Sequence, residues 1–218
     1  MLSIFVIVIL SYLIGSFPTA VLTSRILMKD DIRNHGSHNA GATNVFRVMG
    51  WKPALFVVLI DIGKGLIAVS VVSTIRFGPV PVDHSFVQIL AGAAAIIGHV
   101  WTLFAGFRGG KGVGTAFGVL LSLMPVPALI TFGIWIGLVL ITRIVSVGSI
   151  SAALVLPVTL ILQKQFYKPD ISVSFVVISI LTALLILFTH RSNIGRLLRG
   201  EEHRFGSQSK KERGKSSE

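Results

Sequence analysis

The chain has 218 residues, of which 52% are hydrophobic and only 13% charged, with a mean hydropathy of +0.81; soluble domains carry about 25% charged residues, so a soluble fold is excluded. The net charge of +11 comes without a basic-aromatic surface or nucleic-acid motif, which argues against a DNA or RNA role and assigns the charge to topology and anionic headgroups. With no cysteine, and no two histidines at ligand spacing on one helix face, disulfides, thiolate chemistry and a metal site are disfavoured.

Residues 2–23 form the first apolar run, near the ~20 residues that cross a bilayer as helix. Its length, its polar end at Gly15, Ser16 and Pro18, and the lack of a cleavage site before a soluble domain make it a transmembrane helix, not a cleaved signal. Strand-like alternation is absent, so a barrel is excluded.

A polar stretch, GSHNAGATNVFR, follows at residues 36–47. Gly36 and Gly41 free the backbone, and Ser37, Asn39, Thr43 and Asn44 offer donors and acceptors. Arg47 adds a planar fork suited to two oxygens of a phosphate. A capped turn, with Thr43 capping a short helix through Arg47, is a compatible alternative.

The second apolar run, 53–75, carries Asp61 and Lys64 near its centre, where charges are costly and face the bundle interior. Mutual neutralisation and substrate contact both remain open for this pair. The third run, 85–104, has small residues at 91–95 and Gly98, the mark of close helix packing.

A second glycine-laced stretch, GFRGGKGVGTAFG, occupies residues 106–118. Gly109, Gly110 and Gly112 allow the backbone close to an anion, Arg108 and Lys111 supply charge, and a helix starting near Val113 turns its free N–H groups the same way. A Walker A loop is excluded, since Ala105 stands where its first glycine belongs and Gly112 where Ser or Thr should follow the lysine. Close packing through Gly110, Gly114 and Gly118 is the alternative, but it leaves Arg108 and Lys111 unexplained.

Residues 113–142 are long for one helix and carry Pro125 and Pro127. Two crossings that turn at the prolines, followed by runs 145–162 and 171–189, predict an all-α polytopic bundle of about seven transmembrane helices. That count places sixteen Lys and Arg on one side against Arg76, Lys164 and Lys168 on the other, hence an outer N-terminus and a cytoplasmic C-terminus. Residues 113–123 are short for a full span and read as tilted or half-crossing. In HRSNIGRLLRGEE, His190 and Asn193 share one face of a cytoplasmic helix end, and Arg191, Arg196 and Arg199 suit headgroup anchoring. Residues 1–205 are expected to form one membrane-embedded domain, and 206–218 a disordered polar tail.

The two loops and the C-terminal motif, with GSFPTA at Gly15, GHVWTLFAGFRGGKGVGT at Gly98 and DIGKG at Asp61, together resemble the PlsY family of bacterial acyl-phosphate:glycerol-3-phosphate acyltransferases over nearly the whole chain. His38 departs from the family's usual glycine, and Thr102 from a proline that often stands there. The resemblance implies acyl transfer from acyl-phosphate to the 1-hydroxyl of sn-glycerol 3-phosphate, giving lysophosphatidate and phosphate, the first step of bacterial phospholipid synthesis. It implies no cofactor, a multi-pass protein of the cytoplasmic (inner) membrane with its site facing the cytoplasm, and functional coupling to an enzyme that makes acyl-phosphate. It gives catalytic roles to Ser37, Arg47, Lys111, His190 and Asn193. Phosphate-binding roles fall to Gly36, Asn39, Gly41, Thr43, Asn44, Arg108, Gly109, Gly110 and Gly112, and supporting roles to Asp61, Lys64 and Glu201, with Glu201 holding an arginine. A transporter of a phosphorylated solute is the competing reading, because intramembrane charge and broken apolar runs also suit a pathway. Polar stretches gathered on one face argue against it.

Overall fold

Pro18 splits the first apolar run. In the computed structural model, which describes residues 1–167 and 171–205, helix α1 (Leu2–Gly15) stops there and α2 (Thr19–Met28) carries the span onward. A break inside a membrane frees carbonyls that need partners. Thr102 donates its hydroxyl to the Ser16 carbonyl, and Lys64 Nζ donates to the Phe17 carbonyl at 2.6 Å. Thr102, where proline often stands in the resembling family, is thus a donor that proline cannot supply.

The chain continues through α3 (Ala42–Met49), α4 (Trp51–Ser70), α5 (His84–Val100), α6 (Val113–Leu123), α7 (Pro125–Thr142), α8 (Val145–Phe166), α9 (Val173–Thr189) and α10 (Arg191–Leu198). Helix α1 packs on α5, α4 on α6, and α8 between α7 and α9. Glycines set the closest approaches: a methyl on Gly118 would strike the Ile62 carbonyl, and one on Gly65 the Thr115 carbonyl.

Among the described residues five helical stretches are long and apolar enough to cross a membrane, and six if α9 and α10, bent by 62°, count as one. The expected seventh is α6, an eleven-residue helix. Its first turn lies at Asp61, about 15 Å along α4 at 1.5 Å per residue, yet its last turn meets the end of α4, where Ser122 Oγ sits 3.1 Å from Ser70 Oγ. The connection from α5 to α6 therefore dips into the bundle, and α6 completes only part of a crossing. Residues 113–123 thus fit the tilted or half-crossing reading of the expected seventh helix. The tail at 206–218, like Lys168, lies outside the described residues.

The polar segments gather at one end. Arg33 reaches the Ala105 carbonyl at 2.7 Å, and the Phe205 amide donates to the Arg143 carbonyl at 2.7 Å. At the opposite end the Phe77 amide donates to Ser3 Oγ at 2.9 Å.

Candidate functional site

The first loop is fixed from within. Asp31 accepts from the Arg33 amide at 3.0 Å and grips its guanidinium at 2.9 and 2.7 Å. Hydrogen bonding from Arg33 draws the Asp31 carboxyl down to about 2, so it is ionised at any working pH. The same arginine reaches the carbonyls of Ala105 and Arg108, at 2.7 and 3.2 Å, and so ties the first loop to the second.

Asn44, 1% exposed, spends its side chain on backbone: Nδ2 serves the carbonyls of Ile32, His35 and Asn39 at 2.9 to 3.1 Å, and Oδ1 accepts from the Ser37 amide at 2.8 Å. It shapes the loop around Ser37, and little of its bonding capacity is left for an anion. Gly36, at φ +60, packs against Asn44 and does not line the cavity. Helix α3 is capped by Gly41 without any side-chain bond, so the suggested Thr43 cap is corrected; Thr43 faces the cavity instead. His38 adopts φ +57, the left-handed conformation that glycine accepts without strain, and its Nδ1 donates to the Arg33 carbonyl at 3.0 Å.

The second loop folds back on the end of α5. Gly109 and Gly110 give their N–H groups to the carbonyls of Val100 and His99, at 3.0 and 3.1 Å. Those two donors are spent on the end of α5, and neither residue nor Arg108 borders the cavity. Lys111 does border it, followed by Gly112 at φ +85 and by Val113 and Gly114 of the first turn of α6, where helix N–H groups have no intrahelical partner.

The C-terminal motif closes the site. Lys111 Nζ donates to Asn193 Oδ1, Asn193 Nδ2 to Glu202 Oε1 at 2.8 Å, and Arg196 Nε to Glu202 Oε2 at 2.8 Å. The Thr189 hydroxyl also holds the Lys111 carbonyl, at 3.1 Å. Burial lowers Lys111 to about 8, with Glu202 opposing the shift and Arg196 and Arg47 adding to it. One residue past α9, the His190 ring donates from Nδ1 to the Ile186 carbonyl at 2.8 Å, leaving Nε2 as the acceptor of the neutral ring. Burial, then the Lys111 charge, brings His190 down to about 4.

Glu201 does meet an arginine, Arg199 at 2.7 Å, but both side chains are about three-fifths exposed. The expected anchoring role belongs to Glu202, 8% exposed. The paired glutamates give no sequence signal for which one turns inward. His99 was also not legible: it lines the cavity with Nδ1 3.6 Å from Asp61 Oδ1. Asp61 and Lys64 form a buried pair at 2.7 Å, joined by the Thr19 hydroxyl at 3.2 Å. Their neutralisation is real, and Asp61 additionally lines the cavity.

Ser37, Asn39, Arg47, Lys111, His190 and Asn193 all border one cavity of about 250 Å³. Its wall continues downward through apolar Val58, Ile62, Phe117, Phe132, Trp135 and Leu156. A polar mouth over an apolar shaft suits an amphiphile whose head is anionic. Among the described residues no three His, Asp or Glu side chains are grouped to hold a metal ion.

A family model described as "Glycerol-3-phosphate acyltransferase" matches residues 5–200. Curated proteins of that description include one from Chlorobium luteolum, 42% identical over 228 residues and covering 94% of this chain and 97% of the relative. Another, from Salinibacter ruber, is 44% identical over 216 residues, with 95% and 94% covered. Among solved structures, a crystal structure of PlsY (YgiH), an integral membrane glycerol 3-phosphate acyltransferase, in its glycerol 3-phosphate form matches with a TM-score of 0.77 and 37% identity over 94% of this chain and 96% of that one. Its lysophosphatidic acid form matches with a TM-score of 0.76 and 36% identity over the same shares.

Proposed function

Because the chain belongs to the glycerol-3-phosphate acyltransferase family of PlsY, we propose that it transfers a long-chain acyl group from acyl-phosphate to the 1-hydroxyl of sn-glycerol 3-phosphate, yielding lysophosphatidate and inorganic phosphate. The observation that carries this reading is one cavity with cations at its mouth and an apolar shaft beneath. Both substrates bring a phosphate, and only one brings a chain to bury.

Ser37, Asn39, Thr43 and Arg47 are proposed to hold the donor's phosphate, while Lys111, His190 and Asn193 hold glycerol 3-phosphate. The acceptor oxygen attacks the acyl carbon, the bond from that carbon to the phosphate oxygen breaks, and the electron pair leaves with phosphate. An acyl-phosphate is already activated, so no covalent enzyme intermediate is needed. Positioning and charge stabilisation supply the acceleration. A ring brought down to about 4 is a weak base, so His190 Nε2 orients the hydroxyl and the proton passes to an oxygen of the departing phosphate.

The excess of Lys and Arg at the site end supports a cytoplasmic mouth in a bacterial inner membrane, with the N-terminus outside and the C-terminus inside. The fold is read as one acyltransferase domain over residues 1–205. The test is purified protein in detergent with acyl-phosphate and labelled glycerol 3-phosphate. Labelled lysophosphatidate is expected, with acyl-CoA and acyl-carrier protein inert as donors. Labelled product formed only from those other donors, or an acylated Ser37 trapped during turnover, would overturn the proposal.

A further inference from the structure

The apolar shaft has a floor, and a second void lies behind one of its walls. Leu156, 2% exposed, packs with Met124 and Leu160, and Leu120 and Leu123 lean on this cluster. Across α6 lies a void of about 10 Å³ that shares Ala116, Leu120 and Thr182 with the main cavity. Leu120 is therefore both shaft lining and partition.

The side walls above it are stiff. Phe117 stacks on Phe132 with centroids 4.8 Å apart, Phe132 stacks on Trp135 at 5.9 Å, and Trp135 Nε1 is pinned to Ser149 Oγ at 3.2 Å. A chain entering from the mouth runs beside these stacked rings toward Leu120 and Leu156. From Gly112 at the mouth to Leu120 is eight residues of α6, a depth of about 12 Å at 1.5 Å per residue.

We infer that Leu120 sets the longest acyl chain the enzyme accepts efficiently, by closing the shaft against the void behind it. This rests on the acyl-transfer reading above. Trimming Leu120 joins the void to the shaft and makes room for additional methylenes; enlarging it raises the floor.

The experiment compares kcat/KM for saturated acyl-phosphates lengthened two carbons at a time, in wild type, Leu120→Ala, Leu120→Phe and Leu123→Ala. Leu123 borders the void but not the shaft, so its variant controls for general loosening. Leu120→Ala is expected to favour the next longer donor over the wild-type optimum by about tenfold relative to wild type, since discrimination per methylene starts near that value. Leu120→Phe should move the optimum to a shorter donor, and Leu123→Ala should leave it in place. Either folded Leu120 variant keeping the wild-type profile overturns the inference, as does an equal shift in Leu123→Ala. A wild type inactive with every acyl-phosphate overturns the acyl-transfer reading and this one with it, whereas an active wild type with unshifted variants overturns the ruler alone.

Discussion

Replacing Glu202 with glutamine should disable the site while the neighbouring Glu201→Gln does little. The Glu202 carboxylate accepts from Asn193 Nδ2 and from Arg196 Nε, each at 2.8 Å, with its side chain only 3% exposed. Glutamine can accept one of these bonds, but its amide then points N–H groups at the guanidinium or at Asn193. Charge-assisted bonds are worth about 1.5–3 kcal/mol each, and unpairing one partner of a buried ion pair costs about 3–5 kcal/mol. Arg196 is one-quarter exposed and regains some hydration, so a cost somewhat below that range, about 2–3 kcal/mol, is expected. If that cost falls on holding Asn193 and Lys111 in place, kcat/KM drops roughly thirtyfold to hundredfold at about 1.4 kcal/mol per decade. Glu201 and Arg199 are surface-exposed, and such a pair is worth about 0–1 kcal/mol, so less than a fivefold change follows. Labelled lysophosphatidate formation by the two purified variants, read beside their thermal unfolding in detergent, measures the contrast. Wild-type turnover in Glu202→Gln, or an equal loss in Glu201→Gln, would refute the reasoning.

Three more outcomes can be checked. His38→Gly should keep activity within about twofold, because relief of the φ +57 strain, about 1–2 kcal/mol, offsets the lost ring bond and the added chain freedom; His38→Val should raise the KM for acyl-phosphate severalfold, since a β-branched residue fits that conformation poorly. With Lys111 lowered to about 8, its ammonium is present below that pH and lost above it, so kcat/KM should fall as pH rises through about 8; a flat profile to pH 10 would count against Lys111 as an anion-binding charge. Gly118→Ala should destabilise the fold by about 1–3 kcal/mol in denaturant titration, because the added methyl strikes the Ile62 carbonyl on α4.

Element type and most of the site were legible in the sequence, because apolar runs and glycine-amide loops are local signals. Ser37, Arg47, Lys111, His190 and Asn193 were expected to meet, and all five border one cavity. Residue type leaves open which backbone groups Gly109, Gly110 and Asn44 satisfy, because that depends on contacts distant in sequence, such as the end of α5 at His99 and Val100. Glu202 and His99 were missed for the converse reason: nothing beside them in the chain says that they turn inward. At α6 the length alone marked a short helix but could not show that the preceding loop descends into the bundle.

That descent explains why charges sit so deep in an apolar protein. The chain breaks its helix between α1 and α2 and dips between α5 and α6 to the depth of Asp61, and each irregular stretch leaves backbone groups that need partners within the bundle. Thr102 and Lys64 satisfy the carbonyls freed at Ser16 and Phe17, and the turned-back N–H groups of Gly109 and Gly110 satisfy those ending α5. Lys64 brings a charge that Asp61 balances, and Asp61 in turn meets Thr19 and His99. The buried pair thus balances the charge that satisfies the break at Phe17, and the cavity that Asp61 lines carries Arg47 and Lys111 beside its apolar wall.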